Sequence, residues 1–341
     1  MLSRLLLLSA APLLGTAPSI TPSADRGSAA LEFVNAVAYD ITQRITVTNQ
    51  DVAALDLLEL NLPVPLDWPE QRVAHVHVTG DRPRRLRDVN QCGMIVRSLY
   101  LGPKALPGPG ETRSLAVTYR ITRKAIRTNA KLLGARTYPP YDTQSRLYRL
   151  HTRSEKLIEA DADEIITLAG NLKARTRGPY HFARAAYDYV IDHTAYVTPS
   201  PSHGARECLA NGRADCGSYT ALFVALCRAA GVPARAVAGC WASGENQWHC
   251  WAEFLLPGVG WVPVDPSVGD RGPHERAYYF GNLDNNRVSL AKTFNLTVTA
   301  TKGSTDLGFV QVGTWWWYPA PGSTGSKMAV AHGFLGTRVD E

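Results

Sequence analysis

From Leu31 to about Thr122, apolar and polar residues alternate in short runs. Phe33–Asp40 and Arg44–Thr48 read as two strands. Leu57–Leu62, Val73–Val78 and Ser114–Arg120 follow, separated by turn signals at Pro63, Pro65, Gly80, Pro83 and Pro107–Gly110. Strands of this length with turns between them predict an all-β, sandwich-like unit over residues 30–145. Beyond Glu155 the period changes. Ile165, Ile166, Leu168, Ala169 and Leu172 have helical spacing, and Phe182, Ala186, Tyr189 and Val190 mark a second helix after the break at Gly178-Pro179. A third helix is predicted from Cys216 to Ala230, capped by Asp215 and stopped by Gly231 and Pro233. It is apolar nearly all round, which predicts a central, buried position. Three strands follow: Ala236–Trp241, Gln247–Leu256 and Trp261–Asp265, an antiparallel meander turning at 243–246 and 257–260. Leu296–Ala300 and Gly308–Val312 read as further strands, and Trp315-Trp316-Trp317-Tyr318 as sheet packing rather than a glycan-binding surface. The Gly/Ser/Pro-rich stretch 319–341 predicts a loose tail.

The ends and the charge narrow the functional classes. Arg4 followed by the apolar run Leu5–Gly15 and small residues to Ala24 has the form of a cleaved signal peptide over residues 1–24, too short to span a bilayer. The expectation is a secreted or periplasmic protein whose mature chain has no membrane span. The chain has 341 residues, 36 Lys+Arg against 30 Asp+Glu, a formal charge of +6. That surplus is too mild to argue for a nucleic-acid partner. The basic run Arg82, Arg84, Arg85, Arg87 reads as a solvated loop. His75 and His77 share a strand face but lack a third ligand, so no metal is expected.

The chemistry concentrates after residue 214. Cys216 lies in the first turn of the buried helix, where free N–H groups and the helix dipole favour a thiolate. Gly217 beside it would let a substrate approach the backbone. His249 sits in the middle strand of the meander, flanked by Trp248 and Trp251 as candidate substrate-binding residues. Counting across the Pro257–Gly260 turn, Leu255 faces Trp261, which brings Asp265 within one or two rungs of His249. A carboxylate there would hold the imidazole's tautomer and orientation. The N–H of Cys216 and the Tyr196 side chain are candidate oxyanion donors.

The stretches ADCGSYTALFVALCRAAGVPARAVAGC and HCWAEFLLPGVGWVPVDP resemble the core of the transglutaminase-like superfamily of Cys-His-Asp enzymes. The helices from about Glu155 to Tyr196 and the later FGNLDNNR are also similar to bacterial members. The resemblance implies a papain-like α+β core, a central helix packed on an antiparallel sheet, over residues 150–318. It places Cys216 at the family's nucleophile, His249 at its base and Asp265 at its orienting acid. Trp251, Glu253 and GWVPVDP fit the same pattern. No calcium site of the animal enzymes is recognisable, and no cofactor is implied. Cys250 stands where the family often has a small residue, and strand alternation predicts that it faces away from the site. The implied function is an exported thiol enzyme acting on a protein or peptide through a thioester, with hydrolysis favoured over transamidation; a catalytically silent scaffold is the rival reading. Setting Cys216 aside leaves five cysteines, an odd number, with Cys240 and Cys250 as possible cross-strand neighbours. Neither the natural substrate nor the oligomeric state is legible.

Overall fold

A computed structural model describes residues 30–51, 54–102, 104–201, 203–300, 303–308, 311–323 and 327–340. The expected signal peptide lies outside the described residues. The chain begins with β1 (Leu31–Asn49), β2 (Leu55–Pro63), β3 (Gln71–Thr79), β4 (Arg84–Arg87), β5 (Met94–Leu101) and β6 (Thr112–Thr128). The helical region follows, with α1 (Ala130–Ala135), α2 (Arg146–Thr152), α3 (Asp163–Lys173) and α4 (Gly178–His193). Next come β7 (Ala195–Tyr196), α5 (Ala205–Asn211), β8 (Arg213–Ala214) and α6 (Cys216–Ala229). The meander is β9 (Ala234–Trp241), β10 (Gly244–Glu245), β11 (Trp248–Leu256) and β12 (Gly260–Val264). The chain ends with α7 (Pro266–Gly269), α8 (Pro273–Tyr278), β13 (Arg287–Ala291), β14 (Asn295–Ala300), β15 (Gly303–Gly308), β16 (Thr314–Pro319) and β17 (Met328–Arg338).

The β-rich part is two facing sheets, ordered β10-β17-β1-β6-β3 and β16-β2-β5-β4. The two strands expected at Phe33–Asp40 and Arg44–Thr48 are one continuous strand, β1, paired on both sides. Tyr39, Ile41, Ile45 and Val47 alternate inward and join Leu58, Leu60, Val96, Leu115 and Val117 in one buried core.

The expectation of a loose tail is corrected. β17 pairs with β1 from Tyr39↔Arg338 to Asn49↔Met328, and Phe334 is buried. The reason is its apolar alternation: MAVAHGFLGTR completes the sandwich sheet, and pairing satisfies a β1 edge that would otherwise stand open. The C-terminal strand β16 likewise pairs with β2, so it belongs to the sandwich rather than to the helical core. Its Trp315 and Trp317 pack on the sandwich core, and Trp316 packs on the other one. Of the C-terminal strands, β14 and β15 form a separate hairpin.

The second core is helix on sheet. α6 is buried along residues 217–228, as its all-round apolar surface predicts. It packs on a four-stranded sheet, β12-β11-β9-β13, through Ala236, Ala238, Cys250, Ala252 and Phe254. The opposite face of that sheet rests on the sandwich, and buried charges join the two. Lys292 bridges Glu70 and Glu253 at 2.8 Å each, and Arg123 reaches Glu70 at 3.2 Å. Glu253 is also held by Arg235 at 2.6 Å. The C-terminal strand adds a further tie: β10, at the tip of the β9–β11 hairpin, pairs with Gly336 and Leu335 of β17. Asn246 Oδ1 accepts from the Phe334 N–H at 2.9 Å. The histidine-bearing hairpin is thus clamped by residues some ninety positions later in the chain.

Two smaller expectations also change. A ladder shift between Ala74 and His77 breaks the alternation on which a shared face for His75 and His77 depended. Cys240 pairs with Trp248, and Cys250 with Ala238, so the two cysteines are not opposite. They also face opposite ways, Cys240 to the sandwich core and Cys250 to α6. All six cysteines are free thiols.

Candidate active site

Cys216 opens α6. Asp215 caps the helix, its Oδ1 accepting the Ser218 N–H at 3.1 Å. β7 pairs in parallel with β8, Tyr196 opposite Ala214, which sets Tyr196 beside the entry to α6. The thiol is partly exposed, whereas every other cysteine is buried.

His249 lies on β11 opposite Gly239 of β9. The Leu255↔Trp261 pairing is the one counted from the turn, and the β11–β12 ladder continues to Ala252↔Val264. Asp265 follows immediately, and its Oδ2 meets His249 Nε2 at 2.7 Å. An ionised Asp265 only accepts, so Nε2 carries the proton and the other ring nitrogen remains for the thiol. The ring lies close enough to Cys216 for the two groups to shift each other's ionisation. The structure therefore brings Cys216, His249 and Asp265 together from a helix start and two neighbouring strands.

The charges are mutually reinforcing. The Cys250 side chain, hydrogen-bonded to the Cys216 sulfur, has the largest effect in drawing that thiol well below its ordinary range. Burial opposes it, and His249 adds in the same direction. Burial would lower the His249 pKa, but Asp265 and Cys216 outweigh it and raise it to about 9. Burial likewise opposes ionisation of Asp265, yet His249 and Arg287 hold its carboxyl well below the usual carboxylate range. These shifts favour the charged forms of Cys216, His249 and Asp265 together.

Several residues that complete the site were not singled out in the sequence. Arg287 of β13, fully buried, donates to Asp265 Oδ2 at 2.7 Å and to Asp284 Oδ2 at 3.0 Å. Trp241 stacks on the His249 ring, centroids 4.9 Å apart and planes 17° apart. The Arg287 guanidinium lies 4.3 Å from the Trp241 centroid. Asp265 Oδ1 accepts from Ser267 Oγ and the Val268 N–H. Gln311 reaches in from the β15–β16 connection and donates to the carbonyls of Gly239 and His249. Gly239 is obligatory here, because a Cβ would meet the Val288 carbonyl at 2.2 Å and the Trp251 ring at 2.7 Å. The FGNLDNNR motif, carrying Asp284 and Arg287, was the one sequence signal pointing to this support.

Other expectations are corrected by burial. Trp251 is fully buried beneath His249, 6.2 Å away, and offers no substrate surface. Trp248 turns to Phe334 and the sandwich core. Gly217 is buried inside the first turn of α6. Each was placed near the site by chain proximity, but the faces of a helix or strand send close neighbours in opposite directions. Tyr196, in contrast, stays at the rim and is half exposed; burial pushes its hydroxyl pKa up, and the Cys216 charge adds to the rise. Cys250 departs from expectation most: it faces α6, and its side chain is near enough to Cys216 to influence that thiol's ionisation. Among the described residues no group of three His, Cys, Asp or Glu could hold a metal ion. No described helix is long and apolar enough to cross a membrane.

A family model for the transglutaminase-like superfamily matches residues 166–266, a span that holds the cysteine, the histidine and the aspartate together. The chain carries a transglutaminase-like core. A curated relative, an uncharacterized protein of Haemophilus influenzae, is 34% identical over 122 residues. That match takes in 25% of this chain and 33% of the relative, so the chain spans about a third of the relative's length. Among solved structures, a candidate cysteine protease from Cytophaga hutchinsonii shares the fold. It has TM-score 0.58 and 15% identity, covering 90% of this chain and 100% of that one. The periplasmic domain of TgpA from Pseudomonas aeruginosa matches at TM-score 0.39 and 16% identity, over 70% of this chain and 91% of that one. The helical core and its β-rich partner thus share their fold with a second protein.

Proposed function

We propose that this protein is an exported thiol hydrolase acting on peptide or glutaminyl amide bonds. The observation that carries the reading is the His249 imidazole, whose Nε2 meets Asp265 at 2.7 Å, beside the Cys216 thiol at the start of a buried helix. Cys216 Sγ attacks the carbonyl carbon, and the C=O electron pair moves onto oxygen. The Cys216 N–H at the helix start and the Tyr196 hydroxyl at the rim are the candidate donors to that oxyanion. On collapse the C–N bond breaks, and the His249 imidazolium gives its proton to the leaving amine. The product is a thioester on Cys216. Neutral His249 then takes a proton from water, which attacks the thioester and releases the acid and the thiolate. If a primary amine resolves the thioester instead, the outcome is transamidation. The structural neighbour from Cytophaga hutchinsonii is described only as a candidate cysteine protease, in line with hydrolysis. A secreted or periplasmic location follows from the N-terminal sequence pattern.

The test is alkylation with iodoacetamide near pH 6, followed by mapping of the label. Cys216 should react faster than the other five cysteines, and His249→Ala should remove that advantage. Equal labelling of all six would overturn the proposal. Incorporation of a labelled primary amine into a glutaminyl protein would move the assignment from hydrolysis to transfer.

A pH dependence follows from His249. Its folded pKa of about 9 lies above the unfolded value near 6.5. Its contribution to stability is therefore complete below about 6.5 and disappears as pH rises through about 9. Hydrolysis needs the imidazolium to protonate the amine, so activity should also fall through about pH 9. In Asp265→Ala the alkaline limb of residual activity should move down toward 6.5. An unchanged limb would show that Asp265 does not set the imidazolium's pKa.

A further inference from the structure

We infer that Tyr219 is a positioning residue: its hydroxyl donates to the Thr194 carbonyl, just ahead of Tyr196, and accepts a proton from the carboxyl group of Asp270. The link to catalysis rests on the reading above, in which Tyr196 is a candidate donor beside Cys216. The hydrogen-bond chain itself does not depend on that reading.

The geometry starts one turn into α6, where Tyr219 is completely buried. Its hydroxyl oxygen has two close neighbours, the Thr194 carbonyl oxygen at 2.5 Å and Asp270 Oδ2 at 2.8 Å. A phenol has one proton to give, and a carbonyl only accepts. If Tyr219 donated to an ionised Asp270, the buried Thr194 carbonyl would face a hydroxyl oxygen with no proton between them, which is costly at that distance. Both contacts are hydrogen bonds only if the phenol donates to Thr194 and Asp270 supplies the second proton. The chain then runs from the Asp270 carboxyl through the Tyr219 hydroxyl to the Thr194 carbonyl.

The surroundings of Asp270 suit a neutral carboxyl. It ends α7, against which α4, α6 and α8 pack. The groups that act on it are Tyr219 from α6, Arg276 from α8 and Asp192 from α4. Arg276 is already shared between Asp188 at 2.8 Å and Asp192 at 2.6 Å. Burial raises the Asp270 pKa above its ordinary value; a hydroxyl donating to the carboxylate and the Arg276 charge pull the other way, and Asp192 adds to the rise. A raised carboxyl pKa means that the chain's contribution to stability is complete below about 3.9 and disappears as pH rises through the folded pKa.

What the chain holds is the rim of the site. Thr194 ends α4 and leads into β7, whose flanking N–H groups, Ala195 and Val197, donate to the carbonyls of Gly212 and Ala214. Tyr219 adds a tie from α6 itself, and its ring centroid lies 6.2 Å from that of Tyr196. Asp270 comes from the segment just past Asp265. Three pieces of chain that carry Cys216, Tyr196 and Asp265 are thus joined at one buried hydroxyl. When Asp270 ionises, the phenol turns to the carboxylate and the Thr194 carbonyl loses its donor.

The direction of donation has a measurable sign. Full-length protein labelled with carbon-13 at the aspartate carboxyls is titrated by NMR, with Asp270→Asn identifying the Asp270 signal. In wild type the Asp270 midpoint should lie above the ordinary value near 3.9. In Tyr219→Phe it should fall by about half to one pH unit, because the neutral acid loses its acceptor. A rise in that variant, or an ordinary midpoint in wild type, would overturn the inference, since a carboxylate that had lost a donor behaves that way. Should Tyr219→Phe not fold, Asp270→Asn decides: its amide still donates to Tyr219, so its urea midpoint at pH 8 should equal or exceed that of wild type, and a lower one counts against the chain. For a peptide that wild type cleaves, Tyr219→Phe should lower kcat about fivefold with KM within about twofold, as a displaced oxyanion donor requires; an unchanged kcat removes the positioning role. If the NMR signs are as expected but Cys216 labels no faster than the other cysteines, the chain stands and the nucleophile reading fails.

Discussion

Replacement of Cys216 by alanine should reduce hydrolysis of amide substrates to background, a loss of about 10⁴-fold or more, while leaving the fold intact. The size follows from the proposed mechanism, since without the sulfur there is no thioester and the remaining groups act only on water. The small structural cost follows from position. Cys216 is partly exposed at a helix end, and the cap from Asp215 to the Ser218 N–H does not involve its side chain. The apolar face that fixes α6 begins beyond it. Removing one sulfur should therefore cost no more than about 1 kcal/mol. The check is paired: residual turnover on a peptide substrate, and the urea midpoint of the variant against wild type. Full loss of activity with an unchanged midpoint is expected. A collapsed fold would instead assign Cys216 to packing.

The second large effect concerns Arg287. Arg287→Ala should lower stability by about 3–5 kcal/mol, because Asp265 and Asp284 lose their shared counter-charge while Asp265 stays completely buried. The Trp241 ring also loses the guanidinium packed 4.3 Å from it, so both the plane and the orienting acid of His249 are released. Acid sensitivity should change in a defined direction. Burial opposes ionisation of Asp265, but His249 and Arg287 together hold its folded pKa below the unfolded value. Its contribution to stability is present above about pH 4 and disappears as pH falls through the folded pKa. Without Arg287 that folded pKa rises, and acid unfolding should begin at a higher pH. Arg287→Lys should be intermediate, since one ammonium replaces a planar fork that serves two carboxylates. Urea titrations at pH 7 and an acid titration of the fluorescence signal measure both. A variant within about 1 kcal/mol of wild type would show that the buried pair contributes little.

Much of the site was legible from residue spacing. The apolar surface of α6 predicted its burial, Asp215 its start, and Gly231 with Pro233 its end. The tight Pro257–Gly260 turn set the Leu255↔Trp261 register, and from that pairing Asp265 had to fall near His249. These are short-range relations governed by periodicity and turn length.

What failed shows where such reasoning ends. Trp248, Trp251 and Gly217 are near neighbours of Cys216 and His249 in the chain, yet two are buried and Trp248 is turned to the sandwich core. Cys250 was expected to face away, but α6 arrives on that side and places Cys216 against it. The tail was read as loose from its composition, whereas β17 finds its partner in β1, nearly 290 residues earlier. The sequence by itself determined the local elements, the order of the candidate cysteine, histidine and aspartate, and the register of one hairpin. Only the tertiary structure decided which face each neighbour presents, which strand completes the sandwich, and that Arg287 binds Asp265 while Trp241 stacks on His249. Local patterns arise from backbone geometry within a few residues. Pairings across hundreds of residues depend on which apolar faces and unpaired edges meet when the two cores close.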